Sequence, residues 1–303
     1  MHRSHRLVLA FLLLTGSATV QPATRLMASP AGGPSPSAQS AQKATLKPAA
    51  AKAADIPFHD YEIQAEEQLL ALANQSRKQA GARPLTLDNG LSQAARTHAL
   101  AMLQARRLSH QFNGEPSLPI RLAATTALQL DQEGENVALD YDAEHGHEHL
   151  MLSPPHRANL LNPTYNVVGL GVVRSGDRLY IVQDFGHALP NYSSAQVKER
   201  IAAAVNQSRH QSSLTELARR DLPTADEAAC SMAQADTLGT SPVHKLAERA
   251  TVLTYTSLHP ETLPYGTASA ITSPTLRSFS IGTCYRRTDT YPTGVFWVVL
   301  SLE

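Results

Sequence analysis

The sequence predicts an α+β protein built from two successive helix-and-sheet units, and three observations predict it. Two stretches place residues along one stripe at helical spacing: Ile63, Leu70, Ala73 and Arg77, then Leu91, Ala95, His98, Met102 and Ala105. Segments 166–174 and 179–185 are rich in β-branched and aromatic residues and are joined by a Ser-Gly-Asp turn at 175–177, the pattern of a β-hairpin. Finally, ANQSRKQ at 73–79 returns as VNQSRHQ at 205–211, an offset of 206 − 74 = 132, so the pattern repeats along the chain.

The N-terminus reads as targeting rather than fold. MHRSHR is basic, LVLAFLLLTGSATV is apolar but short for a bilayer span, and small residues follow, so residues 1–23 are expected to be a secretory signal peptide. An uncleaved anchor is the alternative. Residues 24–56 are dominated by Ala, Pro, Ser, Gln and Lys and lack the large apolar side chains that offset ordering entropy, so they read as a flexible linker. Lys+Arg and Asp+Glu both number 26, leaving no net charge to draw the protein to nucleic acid.

From residue 60 the first helix has acids in its early turns and Gly81 beyond its end. The second, over 91–108, places His98 on its apolar stripe, where a core histidine is the simplest reading. Residues 109–133 are irregular apart from a short helical piece near 120–128, and Gly134-Glu135-Asn136 reads as a tight turn. Helices are expected over 142–152 and 156–161. Ser153 suits the N-cap of the latter, Pro154 its first position and Pro163 its stop. Gly169 and Gly171 lie in a strand with no helix after it, so they mark close backbone packing and not a dinucleotide fingerprint.

The second unit, residues 195–303, keeps the helix and strand signals but loses residues. NPTYNVVGLGVV at 162–173 aligns with SPTLRSFSIGTC at 273–284 at an offset of 273 − 162 = 111, so 132 − 111 = 21 residues are missing, those around His156. His244 falls near the position of His110 but has no partners there, as a solvated surface group would. Cys230, in an expected helix, and Cys284, in an expected strand, are candidates for a disulfide in an exported chain; two separate buried thiols are the alternative.

Taken in order, Asn74 with Arg77, Leu108-Ser109-His110, Gly134-Glu135-Asn136, Ser153-Pro154-Pro155-His156-Arg157-Ala158-Asn159 and Gly169-x-Gly171 resemble the CAP superfamily of cysteine-rich secretory, antigen five and pathogenesis-related proteins, in its bacterial SCP-like extracellular branch. The resemblance covers residues 57–190, with 195–303 as a degenerate CAP-like repeat. It implies an α-β-α sandwich with a small central antiparallel sheet and a cleft facing one side. Carried over, the cleft residues are His110, Glu135 and His156, with Ser153 where many members have a second acid. The family's tryptophan before this segment is Leu150.

The resemblance also implies a divalent metal, often zinc, on His110 and His156. Imidazoles suit zinc, and a carboxylate can ligate or orient a bound water. His145 and His149, four apart on one helix face, are a second metal candidate against a plain solvated surface. The family implies an extracytoplasmic, secreted or periplasmic protein that binds a lipid, a cell-envelope component or a protein partner, without a transmembrane span in the mature chain and without established catalysis. The rival expectation is a metal-dependent hydrolase of envelope peptides or peptidoglycan with Glu135 as the catalytic group. The sequence holds no Gly-x-Ser-x-Gly elbow and no His-Glu-x-x-His helix.

Overall fold

Helix α1 (Ile63–Gln79) leads through the two-residue strand β1 (Thr86–Leu87) into α2 (Asn89–Ala105), followed by α3 (Leu118–Thr125), β2 (Leu130–Asp140), α4 (Ala143–Leu152), α5 (Pro154–Leu161), β3 (Val167–Ser175) and β4 (Arg178–Ala188). The chain continues through α6 (Ser194–Gln211), β5 (Ala218–Arg220), α7 (Pro223–Ala235), the one-turn α8 (His244–Ala247), β6 (Thr251–Ser257), α9 (Ala268–Ile271), β7 (Ser278–Arg286) and β8 (Val295–Leu302). This computed structural model describes residues 61–303; the signal peptide and linker readings lie outside the described residues.

Two four-stranded sheets result, ordered β1-β3-β4-β2 and β5-β7-β8-β6. Each is mixed, which corrects the antiparallel expectation. β1 lies parallel to β3 and β5 parallel to β7, because each short strand is the link between two helices and enters its sheet in the direction that link dictates. The β3–β4 hairpin turns at Gly176, whose φ of 62° is in the left-handed region that glycine favours.

The first sheet is covered on both faces. α1, α4 and α5 pack Leu69, Ala73, Leu150 and Leu160 against Leu170, Ile181 and Phe185. On the other face, α2 and α3 pack Ala95, Met102 and Leu122 against Val137, Val182 and Leu130. These three layers match the expected sandwich. The stripe of α1 is rotated from the expected one: Ile63 is 45% exposed, and Ala65, Glu66 and Leu69 are buried in its place. Gly169 and Gly171 lie under α2, where a Cβ at either position would collide with the backbone of Leu91 or Ala95. That close approach is the role expected for them.

Gly134-Glu135-Asn136 is a second correction. It lies inside strand β2 and makes no turn. Gly134 has no positive φ; the Tyr165 hydroxyl, which donates to Glu133 O at 3.0 Å, occupies the place a Cβ would take. A glycine needed for space carries the same letter as one needed for a bend.

In the second sheet, α6 and α9 cover one face and α7 the other. Cys230 on α7 and Cys284 on β7 are disulfide-bonded, with Cα atoms 5.0 Å apart. Two buried arginines do matching work in the two halves. Arg77 of α1 donates to the carbonyls of Arg83, Leu160, Asn162 and Tyr165, and Arg209 of α6 donates to those of Thr215, Ile271 and Ser273. A guanidinium spreads five donors over three nitrogens in a fixed plane and so reaches several separated loop carbonyls at once, where a lysine has three donors on a single nitrogen. Among the described residues, no helix is long and apolar enough to cross a membrane.

Candidate functional site

β2 is the edge strand of the first sheet, so its alternating side chains reach both helical layers beside open solvent. Glu135 points to the α2 layer and Asn136 to the α5 layer, and the site is built on these two residues. On the α5 side, Asn136 donates to His156 O at 3.0 Å and to Gln183 Oε1 at 3.2 Å. Asn159 donates to Asn136 Oδ1 and Glu135 O, tying α5 to the strand. The first turn of α5, with His156, is thereby fixed over the rim of the sheet.

On the α2 side, the Glu135 carboxylate is occupied at both oxygens. His110 Nδ1 lies 2.8 Å from Oε1, and Arg121 Nη2 donates to Oε2. Arg121 also donates through Nη1 to Glu115 Oε1 at 3.0 Å and through Nη2 to His110 O at 3.3 Å. Glu115 in turn pairs with His98 Nδ1 at 2.6 Å and accepts from Phe112 N at 2.8 Å. Burial pushes the Glu115 carboxyl up, but the Phe112 amide, His98 and Arg121 outweigh it and hold the group below its usual range. His98 is fully buried as expected, and it also belongs to this network through Glu115 and the Ser109 carbonyl.

Beneath Glu135 sits Asp184, its cross-strand partner on β4. Asp184 is buried, and no N–H or hydroxyl donor reaches its oxygens, which leaves the Glu135 carboxylate as its hydrogen-bonding neighbour. Burial first, and then the charge of Glu135, push its carboxyl well above its usual value, which favours the protonated form.

His110 and His156 approach from opposite layers. The His110 side chain is 61% exposed. Burial, and then the charge of His110, lower the pKa of His156, so its neutral ring persists to lower pH than a free imidazole. Ser153 holds the N-cap position of α5, but its hydroxyl lies 2.9 Å from His156 Nδ1 and caps no backbone amide. That corrects the capping role read from the sequence: the hydroxyl reaches an imidazole one turn along in preference to the backbone.

A model of the CAP, cysteine-rich secretory protein family matches residues 70–185. Residues 70–185 are a CAP domain. It is 31% identical over 112 residues to the uncharacterized protein YkwD of Bacillus subtilis, a match covering 37% of this chain and 43% of that protein. The chain thus spans less than half the length of that relative. Among solved structures, an extracellular protein containing a SCP domain from Bacillus anthracis is 25% identical with a TM-score of 0.37, covering 41% of each chain. An outer surface protein from Borrelia burgdorferi is 18% identical with a TM-score of 0.39, covering 42% of this chain and 94% of that one.

Within the CAP domain, the structure brings His110, Glu135, His156 and Ser153 to one rim. It adds Glu115, Arg121 and Asp184, which the sequence reading passed over. Glu115, five residues after His110, is an acid on the α2 side of the rim, whereas Ser153 lies on the α5 side against His156. The only sequence signal for Glu115 was its position in the irregular stretch after His110.

As a metal centre, the rim offers the Nε2 atoms of His110 and His156, since each Nδ1 is already oriented by a carboxylate or a hydroxyl. That is the arrangement of zinc-binding imidazoles. Glu135 is committed to His110 and Arg121, and among the described residues no three His, Cys, Asp or Glu side chains converge to hold a metal. The rim alone therefore presents two imidazole donors, one fewer than the three protein ligands of a catalytic zinc site. In the second candidate, His145 is paired with Asp142 and His149 with Asp140, so each ring has its own carboxylate. His244 is exposed and faces only Glu248, at 3.6 Å.

Proposed function

We infer that this chain is an exported binding protein whose CAP domain, residues 57–190, takes a lipid, a cell-envelope component or a protein partner at the His110/Glu135/His156 rim. The observation that carries this reading is the engagement of both Glu135 oxygens, Oε2 by a buried arginine. A carboxylate so neutralised orients His110 and does not serve as a free base. The rival, a metal-dependent hydrolase of envelope peptides or peptidoglycan, needs Glu135 as base or metal ligand. Export is supported by the basic and apolar N-terminus and by the disulfide, which an oxidising compartment preserves.

Residues 195–303 are a degenerate CAP-like copy in this reading. Shared strand order and the paired roles of Arg77 and Arg209 support it, while no counterpart of the His156 segment remains. An optional divalent ion, zinc by ligand type, would be held by His110 and His156 and would supply Lewis acidity toward an oxygen of the ligand.

Metal content after identical dialysis, measured for the unaltered protein and for His110→Ala/His156→Ala, tests the ion. A divalent ion present in the first and lost in the second is expected. If both stay empty after zinc is added, the histidines contact the ligand directly. Glu135→Gln separates the two readings: turnover of peptidoglycan or peptides by the parent that vanishes in this variant would replace the binding reading with the hydrolase.

A further inference from the structure

α3 has little of its own to hold it. It is eight residues long, Leu122 is its one buried residue, and Ser117 at its N-cap makes no side-chain cap bond. Yet it carries Arg121, the cation that joins Glu115, Glu135 and the His110 carbonyl. The carbonyls of a helix's last turn have no partner within the helix and must find one elsewhere.

That partner comes from the other half of the molecule. Arg287, just beyond the end of β7, donates through Nη1 to Ala123 O at 2.7 Å and through Nη2 to Leu128 O at 3.0 Å. A guanidinium at a helix C-terminus both satisfies an orphan carbonyl and complements the negative end of the helix dipole. Two neighbouring contacts extend the clamp into β2. Thr293 donates to Leu130 O at 2.9 Å, and His259 Nε2 lies 3.0 Å from Asp131 Oδ2. Asp131 is free to face His259 because the β2–β4 register slips between Leu130 and Gln132. Its other oxygen pairs with His187 Nδ1 at 2.6 Å. All four contacts from the C-terminal half fall on 123–131, between Arg121 and Glu135.

We propose that Arg287 is a positioning residue for the cleft: by capping α3 across the two halves it fixes Arg121, and through Arg121 the orientation of the Glu135 carboxylate and the His110 ring. The consequence for ligand binding rests on the reading of this rim as the functional site; the brace itself does not.

The test is amide hydrogen exchange across residues 120–128 of the full chain, combined with NMR of the Arg121 Nε–Hε group and the His110 ring. In Arg287→Ala, exchange over 120–128 should rise about tenfold, the lower end of what losing a hydrogen bond to a charged donor releases. The Arg121 and His110 resonances should shift with it. Arg287→Lys keeps the charge without the fork and should fall between parent and Arg287→Ala.

Ile281→Val trims a buried residue of the second sheet away from the clamp and should move none of these signals. Thr293→Val removes one hydroxyl, leaves the fold intact and should raise exchange near 130 alone, which keeps the test usable if Arg287→Ala misfolds. The inference is overturned if exchange changes stop at the residues around 123 and 128 while Arg121 and His110 are unmoved, or if Ile281→Val reproduces the Arg287→Ala pattern. Zinc titration of the same samples addresses the rim separately: a brace that holds with no metal bound leaves the positioning role standing and removes only the ion.

Discussion

Asp184 and Glu135 put two buried carboxyl groups side by side with one arginine, which pairs with Glu135, and Asp184 is pushed toward its protonated form. The pH dependence follows with a definite sign. A carboxyl whose folded pKa lies above its unfolded value of about 3.9 keeps its proton in the fold while the unfolded chain releases it, so stability declines as pH rises from there toward the folded pKa. Asp184→Asn keeps shape and neutrality without that penalty. Its stability relative to the parent, from urea unfolding, should therefore improve as pH rises above about 4 and converge with the parent below it. A difference independent of pH would mean that Asp184 is ionised in the fold.

Little of this was legible in the sequence. His110, Glu135 and His156 were found through resemblance to the CAP pattern, whereas Glu115, Arg121 and Asp184 find their partners across loops and strands, where neither helical nor strand period carries a signal. Asp184 in particular sits in a run of apolar strand residues, and nothing local distinguishes it from a solvent-facing acid.

Among the elements, α2 and β3 approach so closely that no side chain fits between them. Both glycines of Gly169-x-Gly171 lie under the helix backbone, and in the second half Gly282 of β7 meets the Ala225 backbone of α7 in the same way. A methyl group at Gly171 has only main chain to displace, so the helix must lift from the sheet. Gly171→Ala should cost about 1–3 kcal/mol or more by the usual toll of overpacking, read as a drop in the urea midpoint without a change in slope. A midpoint within error of the parent would mean that α2 is free to move.

This element was legible because its glycines interrupt a β-branched run and have no turn or helix after them to explain them otherwise. The Gly134 segment was not, since its glycine answers to Tyr165, thirty-one residues further on. The helices α1 and α2 were legible from period alone, but the buried face of α1 was shifted because Glu66, a charged residue, is drawn inside by Arg96 and the Val172 amide.

At the scale of the whole molecule, the two halves differ in how they are secured. The CAP domain, among the described residues, relies on packing and on buried arginines, whereas the C-terminal half adds the Cys230–Cys284 bond across 54 residues of chain. Closing such a loop restricts the unfolded state and contributes about 2–4 kcal/mol. Cys230→Ser/Cys284→Ser should lose that amount from the C-terminal half, seen as faster hydrogen exchange in α7, β7 and β8.

The same variant reaches the cleft only through the clamp. Because Arg287 follows β7 directly and caps α3, loosening of β7 should raise exchange in residues 120–128 in parallel, while the β3–β4 hairpin, packed under α2, keeps its protection. If α3 stays protected while β7 opens, the clamp does not depend on the disulfide-bonded sheet. If the whole chain loosens together, the two halves unfold as one cooperative unit and the disulfide stabilises both.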